Sequence, residues 1–231
     1  PAFKRSLQGD GYSSANKYAI YAWLARVAHR AINESKGLPP FDTTSSAKRS
    51  LVQDAGKLSV FDDGPELAVD FIRRSGIAVI FEPALKKTQL DGAAFLLGSG
   101  QPVMALTLRQ DRIDNFWFTL LHELAHVCVH LDKTKIFVDN LDSRTDKKIE
   151  SEANRIARDA LIKRADWASI RRLIKPDGSN VDELARKYRI NAAVLAGRYQ
   201  REINDFSILS DFLGRNEVRR RFLPMNTGKK P

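Results

Sequence analysis

The stretch FWFTLLHELAHVCVHL, Phe116 to Leu131, decides how this chain is read. Three of the protein's four histidines fall within it, at His122, His126 and His130, and Glu123 follows the first of them. Apolar residues fill most other positions at helical spacing, which predicts a helix from about Asn115 to Leu131. Asp114 can cap it, because its carboxylate can accept from the exposed amides of the first turn. His122-Glu123-Leu124-Ala125-His126 is a His-Glu-x-x-His pattern. Four residues make about one helical turn, so both imidazoles project from one face and can share an ion. Imidazole nitrogen suits zinc. Glu123 lies one step round the helix, badly placed as a ligand but well placed to reach a water on the metal. A core helix with satisfied histidines is the competing reading. It suits one histidine on an apolar face better than two at this spacing with a glutamate between them.

His130 continues the stripe. On a straight helix it sits about 12 Å along the axis from His122, too far to share one ion. It therefore reads as a packing residue or a group that orients a ligand. Cys128 points to another side of the helix and reads as a small core residue.

A catalytic zinc usually takes three protein ligands and leaves one position for water. The segment KKIESEANRIARDALI, Lys147 to Ile162, offers Glu150 and Glu152. They are two apart and so point to different sides of a helix. Asn154 is one turn beyond Glu150 and can orient a ligating histidine. Glu152 has an ordinary partner in Arg155. The residues alone leave the choice between the two glutamates open.

Outward from the histidine helix, Ile77–Phe81, Gly92–Leu97 and Val103–Leu108 are short apolar runs separated by turn residues, which predicts three strands. Were Val103–Leu108 an edge strand, an extended substrate could pair with it. Helices are expected at Tyr12–Ser35 with Ser13 or Ser14 as cap, within Ser45–Ala55, and from Pro65 to Gly76. Asp132–Lys147 reads as a polar loop. Further helices follow at Lys148–Ile162, Asp166–Ile174, Val181–Tyr188 and Ala192–Ile203. The layout is α+β: a helical N-terminal extension over 1–60, a core over 61–163, and a basic helical C-terminal extension over 164–231.

The chain has 231 residues, 43% of them apolar, enough for a real core. No apolar run approaches the ~20 residues that span a bilayer. One cysteine excludes an internal disulfide framework and suits the cytoplasm. Of the formal charge of +10, most lies from Lys163 to Pro231, where 16 Lys and Arg face 8 Asp and Glu. Such a tail can meet nucleic acid, an acidic partner or only water. Val181–Gln200 has a helix, turn, helix outline that admits DNA contact or a packed or dimer-forming extension, although the usual turn glycine is absent and Arg189 stands near its place. Arg219-Arg220-Arg221 reads as solvated.

Together, FTLLHELAH and the later ESEANRIA resemble the ImmA/IrrE family of bacterial zinc metallopeptidases, across about Glu66 to Ile162. The matching features are Phe118-Thr119, His122 to His126, and Glu150 to Ala157. The resemblance implies a zincin-like (thermolysin-like) core, zinc held by His122, His126 and Glu150, and Glu123 as catalytic base. It implies a protein substrate, a repressor or antitoxin, in transcriptional regulation. Gln89 to His130 looks most like the HigA-like, regulator-associated branch. The chain begins at Pro1 without methionine, which fits removal of an N-terminal helix-turn-helix DNA-binding domain. A different class of reading stays beside this one: a non-catalytic metal-binding regulator or antitoxin module. The segment after Leu161 departs from the family's usual ending, and no oxyanion-stabilising residue can be assigned.

Overall fold

Strands β2 (Ala78–Phe81), β3 (Leu90–Leu96) and β4 (Pro102–Leu106) form where the apolar runs predict them, and a fourth, β1 (Ala2–Arg5), joins them. The sheet order is β1-β3-β4-β2, with β4 parallel to β2 and antiparallel to β3, and β1 antiparallel to β3. The computed structural model describes residues 2–5, 17–86, 88–131 and 144–224. The expected caps Ser13 and Ser14, and the loop over 132–143, lie outside them.

Strand residues alternate between two interiors, because successive side chains point to opposite faces. Ala78, Ile80, Ala93, Val103 and Ala105 pack with Ile20, Trp23, Val27 and Ala31 of α1 (Lys17–Glu34). Val79, Phe81, Ala94, Met104 and Leu106 face the larger core. Helix α1 thus packs on one face of the sheet. Its seat is fixed by polar contacts at the end of β2: Trp23 Nε1 donates to the Glu82 carbonyl at 3.1 Å, and Arg26 and Arg30 pair with the buried Glu82 carboxylate at 2.6 and 3.0 Å.

The other face carries α2 (Ser45–Lys57), α3 (Gly64–Arg74) and the central helix α4 (Ile113–Ala125). Every α4 residue except Phe118 is buried, as expected of a helix apolar all round. Helices α5 (Arg144–Leu161), α6 (Arg164–Leu173), α7 (Val181–Tyr188) and α8 (Ala192–Ile203) complete this side. One hydrophobic cluster runs from Leu51 to Val218, so residues on both sides of 61 and of 163 share an interior. Close approach of α2 to α5 depends on Gly56, where a Cβ would stand 2.6 Å from the Ala160 carbonyl oxygen.

Several expectations are corrected here. Strand β4 is interior, flanked by β3 and β2, so an extended substrate has no open edge there. Asp114 is not the cap of α4; Arg112 holds that position. The Arg112 guanidinium grips the Asp114 carboxylate at 2.8 and 2.5 Å, so this carboxylate is engaged by a neighbour rather than by first-turn amides. Residues 144–147, read as loop, belong to α5. Arg219 and Arg221 are not simply solvated. Arg219 donates to the carbonyls of Leu108 and Arg109, and Arg221 clamps Glu66 at 2.9 and 2.8 Å. Next to them Phe222, at the end of α9 (Arg219–Phe222), stacks on Phe81 with centroids 4.2 Å apart.

The α7–α8 turn places Arg189 at φ +54, the left-handed position where glycine is usual. Helix α8 buries Ala193 through Gly197 and Gln200, and packs on α4. It is a wall of the core rather than a free helix. Among the described residues, no helix is long and apolar enough to cross a membrane.

Candidate metal centre

Helix α4 carries a stripe at four-residue spacing, Asp114, Phe118, His122 and His126, and α5 answers with Glu150, Asn154 and Arg158. The two run antiparallel, since His126 and His122 meet Glu150 at the start of α5 while Phe118 shares a cavity wall with Asn154 and Arg158 farther along. Ala153 and Ala157, both fully buried, let the helices come close.

His122 Nε2 and His126 Nε2 are 3.0 Å apart. The Glu150 carboxylate places one oxygen 3.3 Å from the first and the other 3.2 Å from the second. Zinc bonds of about 2.0–2.1 Å in tetrahedral geometry put ligand atoms roughly 3.3 Å from one another. Each of the three residues offers a ligand atom within 4.8 Å of those of the other two, close enough to hold one ion together. Among the described residues, these three make the one His, Cys, Asp and Glu group with metal-ligand spacing. His122 and His126 are buried, and Glu150 closes the cluster on its solvent side with 30% of its side chain exposed. Burial pushes the Glu150 carboxyl up, but hydrogen bonds and charge from His122 and His126 outweigh it and hold it at about 2. It is thus ionised across the physiological range, as a metal ligand must be.

Glu123 is fully buried one step round the helix. Its carboxylate lies against the backbone of β3 at Gly92, where a Cβ would stand 2.7 Å from Oε1 and 2.9 Å from Cδ. Gly92 shares the strand face of Ala94, which looks towards α4. The glycine therefore makes the space in which the Glu123 carboxylate sits. It was not singled out from sequence. A glycine inside the strand pattern LDGAAFLL is the signal, because such a residue marks close approach of another group.

The α-helix stops at Ala125 and the chain continues as one π turn, His126–His130, rather than as α-helix to Leu131. Leu131 N–H donates to the His126 carbonyl at 3.0 Å, five residues back. Insertions of this kind recur at functional sites. Here the π turn brings His130 Nδ1 to 3.0 Å from His126 Nδ1, while His130 Nε2 lies 3.4 Å from Glu152. Burial, then the neighbouring His126, push His130 below its ordinary value, against the pull of Glu152 and Glu150. The chain Glu152–His130–His126 fixes the ring that faces the cluster. Glu152 also meets Arg155 at 3.5 Å, the partner expected from sequence. Replacing His130 with Ala should weaken metal affinity by about 10- to 100-fold, the usual loss when a group orienting a ligand is removed. Competitive chelator titration measures it.

Asn154 lines the cavity beside the cluster. Cys128 is buried in the main core, and burial pushes its thiol up to about 12, as befits an inert core residue. The cavity wall also holds Arg198 and Arg201 of α8, which the sequence reading did not connect with the site. No local signal links them to it, since they lie far along the chain from His122.

Residues 72–199, more than half of the chain, match the family model described as Peptidase_M78, IrrE N-terminal-like domain. The match runs past Ile162 and takes in α6, α7 and most of α8. No curated protein matches the chain.

Proposed function

We propose that this chain, which belongs to the Peptidase_M78 (IrrE N-terminal-like) family, is a zinc-dependent endopeptidase with a zincin-like core. The observation that carries the reading is the convergence of His122, His126 and Glu150 within metal-ligand distance of one another, with Glu123 buried beside them. Zinc bound by two imidazoles and a carboxylate supplies a Lewis acid and makes a water acidic enough to ionise near neutral pH.

The chain's own residues do the rest. Glu123, backed by Gly92, takes a proton from the attacking water and delivers it to the leaving amine. His130 and Glu152 keep His126 in one orientation. The resemblance of Gln89 to His130 to the HigA-like branch supports a repressor or antitoxin protein as substrate, in the cytoplasm.

The zinc-loaded chain should cut internal bonds of an unfolded polypeptide. A chelator should abolish cutting and added zinc restore it, read by mass spectrometry of the fragments. Cutting that survives complete metal removal would sink the mechanism. A fully metallated chain that cuts no polypeptide would favour a metal-binding regulator instead.

A further inference from the structure

A cavity of about 650 Å³ opens between α4, α5, α6 and α8 beside the metal-ligand cluster. Its wall includes Phe118 and Asn154, each one helical turn from a cluster residue, and the Phe118 and His122 rings are 6.1 Å apart. Cations dominate the rest of the lining. The Arg201 guanidinium lies over the Phe118 ring at 4.8 Å. Arg198 lies over the Trp167 ring at 4.4 Å and donates to the carbonyls of Ile162 and Arg158 at 2.8 and 3.2 Å. Arg158, on α5, completes the group.

The carboxylates in the same wall are already engaged. Asp114 is gripped by Arg112. Glu202 pairs with Arg171 at 2.6 Å and accepts from Trp167 Nε1 at 2.5 Å. Asp159 faces Arg155 at 3.9 Å. Among the described residues, no carboxylate forms an ion pair with Arg158, Arg198 or Arg201. Burial lowers Arg198 to about 10, with Arg158 adding to the fall against Asp159 and Glu202. Burial also lowers Arg201, opposed by Asp114 and Asp91 and reinforced by Arg112 and Arg158. Arg158, Arg198 and Arg201 thus stand around one recess with Arg158 pressing on the other two and no carboxylate paired to any of them among the described residues, an arrangement that favours an anion there.

We propose that this cavity is an anion subsite that receives an aspartate or glutamate side chain of a bound polypeptide, with Arg201 and Arg158 gripping the carboxylate. The course of the peptide rests on the endopeptidase reading of the neighbouring cluster. An extended chain advances about 3.3 Å per residue. Arg158 stands eight residues, about 12 Å, along α5 from Glu150, so the acidic residue lies about three to four residues from the bond over the cluster. A recess walled by four helices takes a side chain, whereas a nucleic-acid strand needs an open groove along its backbone. Arg198, held by two carbonyls and the Trp167 ring, is the fixed member that sets the field. Fork-shaped guanidinium groups suit a carboxylate better than a lysine would.

The test uses the zinc-loaded Glu123→Gln chain, immobilised, with a random library of short peptides blocked at both ends. Sequencing of the retained peptides should show Asp and Glu enriched about three- to tenfold at one position, the range of a single partly buried charged contact. Arg201→Leu and Arg158→Gln should each bring that enrichment close to unity. Arg158 and Arg201 are both exposed, so neither substitution empties the core and each tests the idea independently of the other. No enrichment, or enrichment untouched by either substitution, would overturn the proposal. So would retention of a short random single-stranded oligodeoxynucleotide in preference to the acidic peptides. Acidic enrichment in a chain whose wild type cuts nothing would leave the subsite standing and remove the endopeptidase reading. Cutting without acidic preference would do the reverse.

Discussion

Replacing Glu123 with Gln should leave the metal bound and lower peptide hydrolysis by about 10²–10⁴-fold, the range for loss of a general base. The substitution keeps the shape of the side chain and takes away its basicity. Glu123 is fully buried against β3, so the amide is held where the carboxylate was. The group able to hold a metal ion is His122, His126 and Glu150, none of which the substitution touches. The fall should appear in kcat with KM little changed, because the lost contact is made to the attacking water and not to the peptide. Steady-state cleavage of one peptide, with metal content measured on the same preparation, separates the cases. Full hydrolysis by a metallated Glu123→Gln chain would remove Glu123 from the mechanism.

A single methyl group on the opposite strand should do nearly as much. In Gly92→Ala the new Cβ would meet Glu123 Oε1, Cγ and Cδ, all within 2.9 Å. Both backbones are fixed, β3 by pairing with β1 and β4 and α4 by the core, so the glutamate side chain is what gives way. Displacement of a catalytic group by about 1 Å can cost about 10²-fold. Stability should move little, since the strand backbone prefers alanine to glycine by about 0.5–1 kcal/mol, which offsets part of the crowding. A 10²-fold loss of kcat with unchanged metal content and a melting temperature within a few degrees of wild type is the expected result. Unchanged kcat would mean that the Glu123 carboxylate works from somewhere other than its seat on Gly92.

What could be read in advance follows the range of the physics involved. The histidine pair was legible because four residues on a helix fix a geometry regardless of what surrounds it. Val181–Tyr188 and Ala192–Ile203 were legible for a similar reason, since amphipathic spacing is local. The interior place of β4 was not, because strand order depends on pairings between separate segments, here β4 with both β3 and β2. Asp114 misled because a neighbouring arginine took the carboxylate first. The π turn at His126 has no sequence signature of its own. Its consequence, the contact of His130 with His126, matches the orienting role that spacing allowed for His130. Glu150 and Glu152 were separable only in three dimensions: the first meets both histidines of the motif, and the second meets His130 and Arg155. The arginine cavity joins α5 to α8 across the fold, beyond the reach of any local pattern.

Metal content by mass spectrometry on wild type and Glu150→Ala, both purified without a histidine tag, decides whether three side chains hold the metal. About one zinc per wild-type chain and a large loss in the variant are expected, because two imidazoles alone hold zinc poorly. A wild-type chain that takes up no metal even when zinc is supplied would contradict the three-ligand metal centre, and so would a variant that keeps its full complement.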